Sequence, residues 1–477
     1  MPSPHLNIER IPEELREGLK LLQRKLELPQ TFSEAVLADA ELAADLPPTE
    51  HVDRTDIEFV TIDPPTSMDL DQALQIERDG DGYLVRYAIS DVGHFVRPGT
   101  ALEAETHRRG QTLYAPSARV PLHPPVLSEG AASLLADGTP RPAMLWEIRL
   151  DAQGEFRDVA LTRAMVLNRA KLNYEGVQAD LDAGRAHPSI ELLPEVGEKR
   201  AQLELDRGGV SLNLPEQEIV EHGGTWDLEF RGLVPVENHN AQISLLTGYT
   251  AAQVMLDGKI GILRTLPPAE DWSIAKLRRA VRTLGVEWPK SMSYPEFVRS
   301  LSPDDPKQLA ALTKCTILFR GASYLAFDGE IPDENLLHGA LAAPYAHTTA
   351  PLRRLVDRYV LEICHSLLNG LEVPEWARAG LSVLPDEMND SGRTARSYEN
   401  GVLDLAEALT MKHHVGDILT GVITDVHPKT GVGTVQIADP AVELKVSAKQ
   451  KELGEEVRVR IDKVDVTGGR VTLSRPN

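Results

Sequence analysis

Apolar residues recur at helical spacing near the start of the chain. Four leucines stand three or four positions apart: Leu15, Leu19, Leu22 and Leu26. This spacing puts them on one helix face, and the next stretch, SEAVLADAELAAD, is rich in helix formers after Ser33, a suitable N-cap. A PPTEH break at residues 47–51 ends the segment. The pattern predicts a small helical domain over residues 1–50.

The apolar pattern then shifts to the period of strands. Between residues 57 and 165, short β-rich runs alternate with Gly, Pro and Asp turns, and DGDG at 79–82 predicts a hairpin. From about residue 168 helical stretches dominate, among them AKLNYEGVQADLDAG and PLRRLVDRYVLEICHSLLNG. We therefore predict one large α+β domain over residues 51–413, with a mixed sheet packed against helices.

Short strands return in residues 414–477. Five runs at regular spacing, separated by Gly, Pro and Asp turns, predict an OB-fold barrel, which often serves as a platform for single-stranded nucleic acid. A barrel without such a role is the alternative. Residues 415–477 carry nine Lys/Arg and nine Asp/Glu, whereas the whole chain has a net charge of −22.

Composition narrows the function classes. The net charge of −22 argues against a protein that coats nucleic acid through bulk charge, although a local basic channel stays possible. No apolar run approaches the roughly 20 residues of a membrane span, and the first residues show no signal-peptide pattern. We expect a cytoplasmic protein with no membrane partner. The two cysteines predict no disulfide framework.

The stretch TIDPPTSMDLDQA crowds three carboxylates, Asp63, Asp69 and Asp71, onto one loop. Two prolines stiffen the loop. Close carboxylates raise one another's pKa or need a cation between them, and ligands that offer only oxygen suit Mg²⁺ or Mn²⁺. Solvated turn acids are the alternative.

A second cluster is HTTAPLRRLVD. Pro351 is well placed as the first helical residue, which puts Arg353 and Arg354 in the first turn, where a cation opposes the helix dipole. A bound phosphate would offset this cost, and a bridge to Asp357 is the alternative. Together with the carboxylates, the arginines predict metal-assisted phosphodiester hydrolysis.

These motifs resemble those of the ribonuclease II/ribonuclease R family. TIDPPTSMDLDQA resembles its signature loop, and YAHTTAPLRRLVD resembles its helix start. Four more stretches follow the family's order: RRGQTLYAPSARVPLHPPVLSEGAASL, AKLNYEGVQ, RGGVSLNLPEQEI and LVPVENHNAQIS. The resemblance covers roughly residues 55–412 and the terminal barrel. It implies an RNB-type catalytic domain and processive 3′→5′ hydrolysis of single-stranded RNA to nucleoside 5′-monophosphates. It also implies a divalent metal, no other cofactor and a monomer.

The resemblance also implies roles for single residues. It places the metal site at Asp63, Asp69, Asp71 and Gln72. It places the catalytic groups at Asp71, Arg353, Tyr174 and Glu237. It places the RNA contacts at Tyr114, Arg354 and Leu212. For either tyrosine, an ordinary half-buried aromatic is the alternative.

The chain departs from the family pattern in four places. Gln72 replaces a fourth Asp, which we expect to change metal affinity rather than abolish activity. Ala350 replaces a Ser, so a helix cap worth about 1 kcal/mol is missing. Leu212 or Leu214 replaces a base-clamping aromatic. We expect a small helical RNA-binding domain over residues 1–50, with a helix-turn-helix arrangement left open, in place of the family's two cold-shock-like barrels.

The sequence leaves three functions to weigh. These are an active exoribonuclease, a catalytically impaired RNA-binding homologue, and a small-molecule phosphohydrolase. The presence of all three loop aspartates together with Arg353 favours the first. The terminal barrel, with Tyr114 and Tyr174 as candidates for base stacking, weighs against the third.

Overall fold

The computed structural model describes most of the chain in detail. The described residues are 12–115, 118–210, 216–222, 225–303, 305–319, 321–333, 336–427, 429–437, 439–440 and 442–476. They form an α+β protein with a helical N-terminal region, a large sheet covered by helices, and a small C-terminal barrel. The predicted fold class is confirmed. Within these ranges no helix is long and apolar enough to cross a bilayer.

The secondary structure in chain order is as follows. The helices are α1 Glu13–Lys25, α2 Glu34–Ala44, α3 Val92–Phe95, α4 Ala101–Arg109, α5 Tyr174–Asp182, α6 Leu193–Asp206, α7 Pro235–Gly258, α8 Asp271–Thr283, α9 Tyr294–Ser300, α10 Pro306–Cys315, α11 Leu355–Leu368, α12 Glu375–Gly380 and α13 Leu384–Met411. The strands are β1 Val52–Asp53, β2 Phe59–Ile62, β3 Gln72–Asp79, β4 Gly82–Ser90, β5 Leu113–Ala115, β6 Ala118–Val120, β7 Arg141–Leu150, β8 Phe156–Val166, β9 Asn168–Leu172, β10 Glu216–His222, β11 Thr225–Arg231, β12 Ile260–Thr265, β13 Ser323–Asp328, β14 Ile418–Val426, β15 Val432–Ile437, β16 Val442–Ser447, β17 Glu456–Asp465 and β18 Arg470–Ser474.

A seven-stranded mixed sheet lies at the centre, in the order β1-β8-β7-β4-β3-β2-β9. β2 runs parallel to β9 and β1 parallel to β8, whereas the other neighbours are antiparallel. The predicted DGDG hairpin joins β3 and β4, and Gly80 takes a positive φ of 60° in its turn. One prediction was wrong: the first residues of AKLNYEGVQ extend β9, so α5 begins only at Tyr174.

The main core lies between this sheet and helices α7 and α11. Trp146 of β7 and Leu246 of α7 are among its buried residues. α7 also receives the segment that precedes α11, because Gly248 leaves room for the ring of Tyr345. A Cβ at Gly248 would stand 2.1 Å from that ring. The backbone N of Ala346 donates to the Gly248 carbonyl at 3.2 Å, which fixes the segment against the helix.

The two N-terminal helices pack against different neighbours. Leu15 and Leu19 of α1 are buried in a core shared with α13 and the C-terminal barrel, as the predicted apolar face requires. α2 is capped by Ser33, as predicted, and packs against α3 and α4. In the described part of the chain, α1 and α2 therefore contribute to separate cores. A helix-turn-helix arrangement stays a prediction.

The five C-terminal strands form an antiparallel sheet in the order β16-β15-β14-β17-β18, curled into a nearly closed barrel. Ile423, Val435 and Val459 lie fully buried inside it. An ion pair between Lys314 Nζ of α10 and Asp425 Oδ1 at 3.2 Å connects the barrel to the helices of the large domain. The predicted strands are confirmed, while the domain boundaries stay predictions.

Candidate active site

The carboxylate loop, residues 63–71, is held in place by side chains from two other segments. Lys171 Nζ donates to the carbonyls of Pro65 at 2.6 Å and Ser67 at 2.5 Å. Ser133 Oγ donates to a third carbonyl of the loop at 2.6 Å. These bonds add to the stiffness that the two prolines give. Lys171 and Ser133 were not predicted as site residues, because nothing in the local pattern connects them to the loop.

Asp71 is the last residue of the loop and is 1% exposed. Its Oδ1 accepts a hydrogen bond from the backbone N of Leu352 at 2.7 Å, and its Oδ2 accepts one from Arg353 Nε at 2.9 Å. Burial raises the pKa of Asp71 to about 7, and the positive charge of Arg353 opposes that rise. Two segments 282 positions apart in sequence therefore meet at one site.

Asp63 stands at the start of the loop, directly after β2. Its Oδ2 is buried, and none of the residues that the structure describes donates a hydrogen bond to it. Burial raises the pKa of Asp63 to about 6, while Arg353 lowers it and Asp69 raises it further. The three charged groups therefore lie within electrostatic reach of one another. A buried carboxylate oxygen without a protein donor is costly when ionised, and it is a suitable ligand position for a cation.

Asp69 is bound by the hairpin of β5 and β6. Its Oδ2 accepts a hydrogen bond from Tyr114 Oη at 2.7 Å, and its Oδ1 pairs with Arg119 Nη1 at 3.0 Å. Arg119 also pairs with Glu129. The loop and the tyrosine predicted to stack on RNA are thus joined directly. Arg119 was not predicted as a site residue, although it lies within the RRGQTLYAPSARV stretch.

Gln72, predicted as a neutral member of the metal site, has a partner in the other segment. Its Nε2 donates to the carbonyl of Thr349, four residues before Arg353. An ionised aspartate has no proton to donate and could not make this bond. The amide at position 72 therefore fixes the turn that carries Arg353. A role for Gln72 in holding metal stays a prediction.

The arginine segment corrects one prediction. The sequence predicts a helix that begins at Pro351, but α11 begins at Leu355 and Arg354 is its N-cap. Residues 350–353 instead form a turn, because two of its backbone N–H groups bind carboxylates of other segments. Arg353 consequently lies before the helix and reaches Asp71.

A bound phosphate was expected near the N-terminus of α11 to offset the positive charge of the arginines. Asp357, in the first turn of α11, supplies this negative charge instead. Its Oδ1 accepts a hydrogen bond from the backbone N of Ala350 at 2.7 Å, so Ala350 is not the helix cap. Both of its oxygens bind Arg354, at 2.8 Å each. The alternative of a bridge to Asp357 therefore holds for Arg354 and not for Arg353.

Tyr174 is the first residue of α5 and follows β9. Because β9 runs parallel to β2, Tyr174 comes at the same edge of the sheet as Asp63. Its Oη accepts a hydrogen bond from Asn240 Nδ2 of α7 at 3.3 Å. Burial raises the pKa of Tyr174 to about 12, and the charge of Asp63 adds to the rise. Tyr174 thus belongs to the site. Asn240, in the quoted LVPVENHNAQIS, was missed.

Glu237 mainly organises the start of α7. Its Oε1 accepts a hydrogen bond from the backbone N of Val234 at 2.9 Å and pairs with Arg231 Nη1 at 2.9 Å. Its charge contributes to the raised pKa of Tyr174, so it is near the site without touching the carboxylates. Leu212, the predicted clamp position, lies outside the described residues.

The donor set suits a hard divalent cation, because it consists of carboxylate and amide oxygens and includes the open Oδ2 of Asp63. However, Asp69 and Asp71 already bind Tyr114, Arg119 and Arg353. Among the residues that the structure describes, no three His, Cys, Asp or Glu side chains are gathered as a metal site. Arg119 and Arg353 thus supply positive charge to the carboxylates of the loop.

Known proteins share the fold of this chain. The fold is similar to RNase R of Mycoplasma genitalium in complex with ribose-methylated single-stranded RNA, with a TM-score of 0.84, 19% identity, and coverage of 97% of this chain and 78% of the other. It is also similar to yeast Ssd1, described as a pseudonuclease, with a TM-score of 0.69, 15% identity, and coverage of 94% and 58%.

The RNB domain family matches residues 51–370, and the RNase II-type exonuclease C-terminal S1 domain matches residues 417–475. Because the first match covers more than half of the chain, the chain belongs to the RNB family, and the resemblance seen in the sequence is confirmed. Ribonuclease R of Aquifex aeolicus is 26% identical over 442 residues, which cover 87% of this chain and 61% of that protein. The chain spans about half to three-fifths of the first curated relatives it matches.

Proposed function

We propose that this chain hydrolyses single-stranded RNA processively from the 3′ end and releases nucleoside 5′-monophosphates. The observation that carries the proposal is the pairing of buried Asp71 with Arg353, which joins the carboxylate loop to the turn before α11. Membership of the RNB family supports it. The proposal includes a cytoplasmic location and a monomeric enzyme.

Arg353 supplies positive charge to the transferring phosphoryl group. Its Nε is taken by Asp71, but its side chain is 43% exposed, so part of the guanidinium can reach a phosphate. Asp71 holds that guanidinium in a fixed direction before substrate arrives, which is the arrangement that electrostatic stabilisation of a transition state requires. Gln72 serves the same end through its bond to Thr349.

A divalent metal, Mg²⁺ or Mn²⁺, fits beside Asp63, with Asp69, Asp71 and Gln72 as further ligands. When bound, such a cation polarises a phosphoryl oxygen and lowers the pKa of the attacking water. A carboxylate offers about four lone-pair positions, so its hydrogen bonds to protein donors leave room for a cation. The open Oδ2 of Asp63 supports this assignment.

The tyrosines contact the RNA. Tyr114 stacks on a base, with its ring direction fixed by the bond to Asp69; such stacking is worth about 1–3 kcal/mol per base. Tyr174, next to Asp63, contacts the terminal nucleotide. Arg354 and Glu237 act through the segments that they hold, since their charges are bound by Asp357 and Arg231.

The test is a 5′-labelled oligoribonucleotide incubated with Mg²⁺ or Mn²⁺. We expect wild type to give a ladder that shortens from the 3′ end with mononucleotide product, and Asp71→Asn to give none. Asp158→Asn is the matched control, because Asp158 is 70% exposed in β8 and has no contact with the site. RNA that stays intact with wild type in both metals would refute the proposal.

A catalytically impaired RNA-binding homologue is the second candidate. Two observations favour it: Gln72 is bound to a backbone carbonyl, and Asp69 and Asp71 have protein partners. The structural likeness to a pseudonuclease agrees with it. Tight RNA binding without shortening, in either metal, would establish this candidate in place of the first.

A further inference from the structure

Arg264 of β12 is a half-buried cation that pairs with no acidic side chain among the described residues. Its guanidinium carbon lies 4.6 Å from the centroid of the Tyr324 ring. In the described ranges, no carboxylate forms an ion pair with it. Burial lowers the pKa of Arg264, because its charge loses hydration that no counter-ion replaces. An arrangement of this kind costs free energy unless a ligand supplies the missing anion.

Aromatic rings and imidazoles lie around Arg264. Tyr324 Oη is hydrogen-bonded to His347 Nδ1 at 2.8 Å. The ring of Tyr345 lies edge-on to those of His338 and His347, at 5.9 and 5.6 Å between centroids. Burial lowers the pKa of His338 to about 4, and burial also lowers that of His347 well below its ordinary value. Both imidazoles are therefore neutral at pH 7.

Two buried polar atoms of the same segment, His338 Nδ1 and Thr348 Oγ1, have no hydrogen-bond partner among the residues that the structure describes. His338 lies within electrostatic reach of Arg264, and Thr348 follows His347 directly. Unsatisfied buried polar atoms are rare in folded proteins. The imidazoles of His338 and His347 lie within electrostatic reach of Arg264, so a polar ligand at the guanidinium would also find polar atoms beside it.

Further positive charge lies nearby. Arg354 and Arg396 both lower the pKa of Arg264, so both lie within electrostatic reach of it. Arg354 is neutralised by Asp357, whereas Arg396, exposed on α13, forms no ion pair in the described part of the chain. We call Arg264, Arg396, Tyr324, His338 and His347 the Arg264 cluster. It holds two unpaired arginines in a chain whose net charge is −22.

The Arg264 cluster is connected to the candidate active site through one stretch of backbone. The backbone N of Arg264 donates to the carbonyl of Tyr345 at 2.8 Å. From Tyr345 the chain runs to Thr349, which is bound by Gln72, and then to Arg353. One continuous segment, residues 345–353, therefore contacts both β12 at Arg264 and the carboxylate loop at Asp71.

We propose that Arg264 and Arg396 bind a backbone phosphate of the RNA on the 5′ side of the scissile phosphate. The inference rests on the proposed function and adds a second phosphate position to it. Guanidinium groups bind phosphate through paired N–H donors. Contacts of this kind hold the strand without reading its sequence. The site therefore contributes to retention of the shortened RNA between cleavage steps.

The experiment measures RNA binding against salt. Arg264→Gln, Arg396→Gln and the double variant are made in an Asp71→Asn background that does not cleave, with Arg157→Gln as the control at an exposed position of β8. Affinity for a labelled 12-nucleotide RNA is followed by fluorescence anisotropy. We expect the slope of log affinity against log salt concentration to fall by about 0.7 in the double variant, as for the loss of one single-strand phosphate contact. The control keeps the wild-type slope.

Length dependence and a mononucleotide probe complete the test. In the active background, we expect the double variant to turn over a dinucleotide like wild type and to lose at least tenfold in kcat/KM on the longer RNA. A salt slope that is unchanged in the double variant overturns this inference. The proposed function is unaffected by that result as long as wild type cleaves RNA. The mononucleotide probe is 5′-AMP, tested as an inhibitor of cleavage. Variants that lose inhibition by 5′-AMP but keep the salt slope of RNA binding also overturn the inference. Arg264→Lys should restore part of the slope, and an equal melting temperature excludes a folding defect.

Discussion

In the carboxylate loop, Asp69 and Asp71 are bound by Arg119 and Arg353, and the protein supplies its own counter-charges. Around Arg264 the opposite holds, since the described residues offer its guanidinium aromatic rings and no carboxylate. The first arrangement fixes side chains in one geometry before any substrate binds. The second leaves a charge for a ligand to neutralise. The two regions therefore predict different responses to the removal of a charge.

The largest effect is expected from Arg353→Ala. It leaves buried Asp71 without its counter-ion, which typically costs about 3–5 kcal/mol of unfolding free energy. It also removes the charge that faces the phosphoryl group, so turnover should fall by at least about a thousandfold. Chemical denaturation and the 3′-shortening assay measure the two effects. The affinity for RNA should persist. If affinity falls in proportion to turnover, Arg353 serves to bind RNA and not to stabilise the transition state.

Asp63 should make the stability of the metal-free protein depend on pH. Burial raises its pKa to about 6, above the ordinary value of 3.8, so the folded state holds the proton more tightly than the unfolded chain. Stability from this group is therefore present at low pH and is lost as pH rises through about 6. At pH 8, Asp63→Asn should be more stable than wild type by up to about 3 kcal/mol. At pH 4 this advantage should vanish, and a constant difference would contradict the assignment.

Tyr114→Phe tests the bond that joins the hairpin to the loop. It keeps the ring and removes the hydroxyl donor to Asp69. A hydrogen bond to a charged group is worth about 1.5–3 kcal/mol, so kcat/KM should fall roughly tenfold or more. Tyr114→Ala should lower it further, because the stacking ring is also lost. Equal losses in both variants would mean that the ring itself contributes nothing.

Gln72→Asp separates the two roles considered for this position. The added carboxylate should lower the metal concentration needed for half-maximal activity, while the lost bond to Thr349, worth about 1 kcal/mol, should lower kcat severalfold. Gln72→Met is the control, because it removes the donor without adding charge. If Gln72→Met keeps the full kcat, the bond to Thr349 has no part in catalysis.

Arg264→Gln gives the smallest expected effect and the sharpest contrast with Arg353→Ala. No carboxylate of the described residues pairs with Arg264, and its contact with Tyr324 is worth about 1 kcal/mol. The unfolding free energy of the RNA-free protein should therefore change by no more than about 1 kcal/mol. A loss as large as that of Arg353→Ala would mean that Arg264 has a structural role.

Local pattern was enough to predict the helix face of α1, the β3–β4 hairpin and the five barrel strands, because each depends on residues close in sequence. It failed where a distant group decides the local structure. The helix predicted at Pro351 starts at Leu355, since backbone N–H groups of the preceding turn bind Asp71 and Asp357. No periodicity in HTTAPLRR encodes the position of Asp71.

The site shows the same limit. Asp71 and Arg353 were paired by their chemistry, and the structure brings them together. Lys171, Ser133 and Arg119 were missed, because they act on the loop from other strands and segments. The partner of Gln72 was also beyond prediction, since an amide that donates to a remote carbonyl has no signature in the sequence.

The core shared by α1, α13 and the barrel couples the local unfolding of α1 to that of the barrel. A Cβ at Gly18 of α1 would meet Leu405 of α13 at 2.6 Å and the carbonyl of Thr467 in the barrel at 3.2 Å. A helix from the beginning of the sequence and a barrel from its end thus share one packing surface. We expect amide hydrogen exchange to report them as a single cooperative unit. Proteolysis of either part should therefore expose the other.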